Sequence, residues 1–169
     1  MNALIKIENE EYQDMGSLNH SFVQTRIAGL LFNDERFTTL VELSLDVSKT
    51  DLSQFGLKAK EELKPDVCIY PKGTFGLRRR DLLRVSQMPL LAIEIISMRQ
   101  YLDDILAKFE AYFALAVKSC WLVTPVLESI TVYSQTLDNF KPFEVTRGDT
   151  EVVDDILNIR LPLLKVFTE

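Results

Sequence analysis

The chain has 169 residues, is 47% hydrophobic and 26% charged, and carries 19 Lys plus Arg against 25 Asp plus Glu. That balance is globular and excludes a mostly disordered chain, while the net charge of −6 excludes coating of nucleic acid by bulk positive charge. A local basic groove stays open.

Ahead of residue 17 only a short strand at Leu4–Ile7 is expected. Ser17 to Asn33 reads as a helix capped by Ser17, because Val23, Ile27, Leu30 and Leu31 recur at the spacing of one face. Thr38 to Val47 alternates, with Leu40, Glu42, Ser44 and Asp46 opposite Val41, Leu43, Leu45 and Val47, which predicts a strand. The stretch KTDLSQFGLKAKEELKPD is a polar connection with room for a helical turn. Pro65 then leads into a strand from Asp66 to Tyr70, closed by Pro71 and Gly73.

Residues 72–88 are an excursion with a short helix, carrying Lys72 and the Arg78-Arg79-Arg80-Asp81 run. Pro89 to Ser97 is apolar almost throughout, as in a strand covered on both faces. Leu102, Ile105, Leu106, Phe109, Tyr112, Phe113 and Ala116 mark an amphipathic helix. Strands at Cys120–Thr124 and Ile130–Ser134 follow around a turn at Pro125–Ser129. A strand at Phe143–Thr146, a break at Gly148-Asp149 and apolar residues through Phe167 complete the chain. With no repeat or internal linker, residues 1–169 are expected to form one α/β domain around a mixed sheet flanked by helices.

Cys68 and Cys120 lie 52 positions apart within apolar runs, and His20 is the only histidine. Neither a disulfide framework nor a zinc cluster is expected, and the thiols suit a cytoplasmic setting. No apolar run approaches the roughly 20 residues of a membrane span, and the first residues lack the pattern of a signal peptide.

Glu94 is the anomaly. It interrupts Leu90, Leu91, Ala92, Ile93, Ile95 and Ile96, so its carboxylate falls on a buried strand and requires a cation, a donor or a proton. A structural lysine pair would also satisfy it. Asp66 opens a strand 28 residues earlier, far enough for an adjacent return, although Asp after Pro is also a common turn residue. Two carboxylates on neighbouring strands repel unless they share a proton or a cation, and a hard divalent ion such as Mg²⁺ resolves the conflict. Lys108 lies on the following helix, where Asp104 is positioned for an ordinary surface pair with it. A helix folded back over the sheet would instead bring Lys108 to Glu94. The three groups would then suit metal-assisted phosphodiester hydrolysis, two carboxylates holding the ion and an ammonium orienting water or stabilising charge.

The array PDVCIY, PLLAIEIIS, D-x-x-x-K-x-x-x-Y and SCWLVTP, from Leu18 to the closing LPLLKVF, resembles the Uma-two family of the PD-(D/E)XK nuclease superfamily. The resemblance implies a restriction-endonuclease-like fold and an endonuclease cleaving DNA with Mg²⁺ or Mn²⁺. It implies Asp66 and Glu94 as metal ligands, Lys108 as the catalytic lysine and a backbone carbonyl near Ile95 as a further ligand. The superfamily lysine usually stands two residues after the strand glutamate. Here that position is Ile96, so the resemblance implies that the role has moved to Lys108. Met98-Arg99 replaces the family's proline after Ser97. Glu42, His20 and Asp104 are accessory candidates, and His20 matches a family histidine near the first helix, where capping or packing is an equal reading.

Arg78, Arg79 and Arg80, with Arg84 and Lys72, are candidates for phosphate contacts, against the reading of a solvated surface cluster. A homodimer would supply the two centres that double-strand cleavage needs. The alternative function is a binding module for nucleic acid or protein on the same fold, with a weak or inactive metal site. A third is a purely structural ion-pair network.

Overall fold

A computed structural model describes residues 16–59 and 61–169. In chain order the elements are α1 (Leu18–Phe32), β1 (Phe37–Val41), β2 (Leu45–Asp46), β3 (Glu62–Leu63), β4 (Val67–Pro71), β5 (Leu91–Ile95) and α2 (Leu102–Ala114). They continue with β6 (Ser119–Thr124), β7 (Ser129–Ser134), β8 (Phe140–Glu144), β9 (Glu151–Asp154), β10 (Ile159–Pro162) and α3 (Leu163–Phe167).

Six strands form one sheet in the order β1-β4-β5-β6-β7-β8. Only β5 and β6 run parallel, joined by the α2 crossover; the other neighbours are antiparallel. The chain is therefore a mixed α/β fold, as the alternation of helices and strands implied.

The sheet separates two apolar layers. Val23, Ile27 and Leu31 of α1 pack on Val67, Ile69, Leu91, Ile93 and Trp121, and the β9–β10 hairpin and α3 close the same side. On the other side Ile105, Phe109 and Tyr112 of α2 pack on Ala92, Cys120 and Leu122, with Leu45, Val47, Leu52 and Leu63 beside them. Because β5 is covered on both faces, its odd residues serve one layer and its even residues the other.

Helix α1 starts where its sequence signals it, with the Ser17 side chain accepting from the His20 amide. The expected strand at Leu4–Ile7 lies outside the described residues. Four other expectations are corrected. The strand foreseen over Thr38–Val47 is broken: Glu42 has φ 50°, in the left-handed region that residues with a Cβ seldom adopt. The kink diverts the chain from the large sheet into β2, which pairs with β3. Residues 72–88 contain no helix; LRRRDLL exposes Leu77, Leu82 and Leu83, so no apolar face packs against the body to stabilise one. Helix α2 stops at Ala114, and Ala116 has φ 71°. The strand foreseen at Phe143–Thr146 instead spans Phe140–Glu144, and the apolar tail, which had no assigned elements, folds as the β9–β10 hairpin and α3.

Candidate active site

The antiparallel register of β4 and β5 pairs Val67 with Ile93, so the next step places Asp66 beside Glu94. The β1 register pairs Val41 with Val67, and the next step places Glu42 beside Asp66. Three acidic residues thus stand in one row across three strands. This is the end of β5 from which the chain leaves toward α2.

Asp66 is fixed by groups from both sides. Its Oδ2 accepts the Ile95 N–H at 2.7 Å, and its Oδ1 lies 3.0 Å from His20 Nε2 of α1. Its backbone carbonyl accepts Gln24 Nε2 at 2.9 Å and the Glu42 N–H at 3.1 Å. Helix α1 and strands β1, β4 and β5 therefore converge on one residue. His20 sits in the first turn of α1 because Ser17 caps that turn, and the ring is buried.

Glu94 is 3% exposed, on the face toward α2. Helix α2 folds back over β5 and delivers two side chains one turn apart. The Tyr112 hydroxyl donates to Glu94 Oε1 at 2.9 Å, and Lys108 Nζ lies 3.4 Å from Oε2. The tyrosine contact is the tighter; the lysine distance is long for a charge-assisted bond. Lys108 is also the less buried partner, its side chain 28% exposed, so its amine lies at the boundary between core and solvent.

Burial pushes the Glu94 carboxyl up to about 7; Lys108 and Tyr112 oppose the rise, and the neighbouring Asp66 charge adds to it. Burial, reinforced by Glu94, holds the Tyr112 hydroxyl well above its ordinary range, so it remains a donor.

Asp66, Glu94 and Lys108 are thus brought together, and His20 joins them through Asp66. Glu42 is exposed and contributes its amide. Asp104 is exposed in the first turn of α2, and the Lys108 amine reaches Glu94 instead of forming the foreseen surface pair. Arg78, Arg79 and Arg80 are exposed on the β4–β5 excursion, outside the carboxylate cluster. Arg84 is engaged by Glu61 at 3.0 Å and Glu62 at 3.3 Å. Tyr112 stood on the apolar face of the helix and in the D-x-x-x-K-x-x-x-Y array but was given no role, although its place one turn after Lys108 predicts the same target. Asp154 was missed. It is fully buried on the opposite sheet face and accepts from Trp121 Nε1, Ser119 Oγ and the Leu157 N–H. Its signal was parity: Val152 and Asp154 of β9 share the inward face.

No group of three or more His, Cys, Asp or Glu side chains arranged to hold a metal occurs among the described residues. No helix among them is long and apolar enough to cross a membrane.

A family model described as "Uma2: Putative restriction endonuclease" matches residues 8–163. Among solved structures, a protein described as "a putative nuclease belonging to DUF820", from Anabaena variabilis, superposes with a TM-score of 0.68 at 13% identity. The match covers 90% of this chain and 82% of that one and carries the likeness in fold. No curated protein matches the chain.

Proposed function

The chain belongs to the Uma2 family, and from that premise we propose that it is a divalent-metal-dependent endonuclease hydrolysing phosphodiester bonds of DNA. The observation that carries the reading is Glu94, a carboxylate buried on a central strand beside Asp66 and reached by Lys108. A purely structural role for Glu94 would be served by the tyrosine and lysine alone; it gives no reason to bring a second carboxylate alongside.

The donor set suits a hard cation. Asp66 and Glu94 offer only oxygens, and their mutual repulsion is the kind that Mg²⁺ or Mn²⁺ relieves. Each carboxylate oxygen has two lone pairs, so the bonds from His20, Ile95 and Tyr112 still leave acceptor capacity. Two protein ligands are in keeping with Mg²⁺, which retains several waters. Bound there, such an ion would polarise a phosphate oxygen and lower the pKa of a water.

The protein's own groups do the rest. The Ile95 amide and His20 hold the Asp66 carboxylate in one orientation, and Tyr112 holds that of Glu94. Lys108, at the solvent boundary, orients the attacking water and stabilises negative charge developing on the phosphate. No side-chain nucleophile is required.

A second reading, a nucleic-acid- or protein-binding module with a vestigial site, is favoured by the acidic balance of the chain, a net charge of −6. Cleavage of plasmid and single-stranded DNA with Mg²⁺ or Mn²⁺ separates the two, beside metal-dependent melting of wild type and Asp66→Ala. The nuclease reading expects metal-dependent cleavage by wild type only. It also expects stabilisation of about 2.7 kcal/mol at a hundredfold excess of metal over Kd, largely absent in Asp66→Ala. Equal metal shifts in both proteins, with no cleavage by either, would refute the metal site and with it the nuclease reading.

A further inference from the structure

The β4–β5 excursion carries Leu77-Arg78-Arg79-Arg80-Asp81-Leu82-Leu83-Arg84, the densest run of positive charge in a chain of net charge −6. Arg84 is committed to Glu61 and Glu62. Among the described residues no ion pair holds Arg78, Arg79 or Arg80, and all three are exposed. Leu77 and Leu83 bracket them at 109% and 91% relative exposure. One bare leucine needs no explanation. Two around three uncommitted guanidinium groups make a mixed apolar and cationic tip.

The tip stands on fixed feet. Phe75 packs edge-on against Tyr70 at 4.7 Å, whose hydroxyl donates to the Gln87 carbonyl at 2.7 Å. The Val85 amide donates to the Ser44 carbonyl at 2.9 Å. Ser44 is two residues beyond Glu42, whose own amide bonds the Asp66 carbonyl. The excursion thus returns along the segment that follows Glu42, and anchored feet reduce the ordering cost of a contact at the tip.

We propose that Arg78, Arg79 and Arg80 are a docking site for the phosphate backbone of a nucleic acid, with Leu77 and Leu83 lying against its sugar and base faces. This rests on the nuclease reading, which sets an acidic protein the problem of holding a polyanion. Guanidinium groups match phosphate in charge and in bidentate geometry. A protein partner is the rival occupant.

The test measures binding of a 30-base-pair duplex in EDTA across a KCl series, for wild type and the Arg78→Ala/Arg79→Ala/Arg80→Ala variant. Each lost phosphate contact should reduce the log–log salt slope by about 0.9. The triple variant should therefore lose about 2 to 3 in slope and bind tenfold or more weakly at low salt. The corresponding triple Lys variant should keep the slope, and unchanged melting temperatures would show that the fold is intact. Equal affinity and slope in wild type and triple Ala would overturn the proposal, as would no binding by wild type. A Leu77→Ser/Leu83→Ser variant that shifts sedimentation but leaves duplex affinity intact would assign the tip to a protein interface instead. Cleavage and Mn²⁺-induced melting shifts on the same proteins separate the two readings. If Asp66→Ala loses both while triple Ala binds normally, only the docking site falls. If wild type shows neither but binds duplex through the arginines, only the catalytic reading falls.

Discussion

Tyr112 and Glu94, 18 residues apart in the chain, meet inside the core with the phenol hydroxyl 2.9 Å from Oε1. Both side chains are almost wholly excluded from solvent, so neither can exchange its partner for water without opening the α2 layer. Tyr112→Phe leaves the cavity volume nearly unchanged and removes only the donor. At pH 8, where Glu94 is largely ionised, the variant should lose about 1–3 kcal/mol, the usual cost of stranding a buried acceptor. Urea titration would show this as a lower midpoint at unchanged slope. At pH 5.5, with the carboxyl protonated, the difference should shrink. An equal midpoint at pH 8 would mean that the hydroxyl does not support the carboxylate.

The pH dependence has a definite sign. The Glu94 carboxyl titrates near 4.5 when unfolded and about 7 when folded, so within that window the native state binds more protons. Stability contributed by this group is therefore present at low pH and lost as pH rises toward 7. At 1.36 kcal/mol per unit the full effect is on the order of 3 kcal/mol. Glu94→Gln keeps the shape without the charge. In melting experiments without metal its stability should vary less between pH 5 and 7.5 than that of wild type, and exceed it at the upper end.

Lys108 should separate from the metal ligands. Its ammonium has no lone pair, so it cannot ligate a cation alongside Asp66 and Glu94. On the nuclease reading, Lys108→Ala should lower kcat on the order of a hundredfold or more, while Mn²⁺ affinity by calorimetry stays level or rises. Asp104→Asn is the control: Asp104 is exposed and the change should be nearly silent in both assays. Wild-type turnover by Lys108→Ala, with Asp66→Ala inactive, would show that the lysine role is misassigned.

Asp154 predicts the opposite separation. Its carboxylate accepts from Trp121, Ser119 and the Leu157 amide on the face away from Glu94. Asparagine has the same shape but turns an NH₂ toward donors. Asp154→Asn should cost on the order of 1–3 kcal/mol by denaturation, while turnover below the melting transition remains that of wild type. A large loss of turnover without loss of stability would reveal coupling between the two sheet faces.

The sequence made several of these relationships readable. An isolated Glu within an apolar strand has few physical outcomes, and the helix after it carried its cation at a position facing the sheet. The spacing of Val23, Ile27 and Leu31 likewise identified α1. What remained hidden depended on register and local backbone. Glu42 sits in alternating sequence that reads as a continuous strand, and nothing in a glutamate announces φ 50°. The excursion's LRRRDLL has helix-forming residues, but helix formation in so short a segment needs a packed face, and the fold gives it none. Asp154 resembles a turn residue because Asp155 follows it; only the burial of Val152 on the same face discloses its direction. The His20–Asp66 contact joins a helix and a strand 46 residues apart, a distance that only the assembled sheet closes.

The Ile95 amide gives this protein a built-in spectroscopic probe. Its proton is donated to Asp66 Oδ2, a side-chain oxygen across the strand boundary, at 2.7 Å. A short charge-assisted bond of this kind draws electron density from the amide, so its ¹⁵N–¹H resonance should lie well downfield of its neighbours'. A cation arriving on Asp66 would take electron density from the same oxygen and move that resonance; a ligand captured elsewhere would not. One backbone signal thus follows the electronic state of the carboxylate during titration of ¹⁵N-enriched protein with metal or nucleic acid, with no foreign group attached and no residue altered.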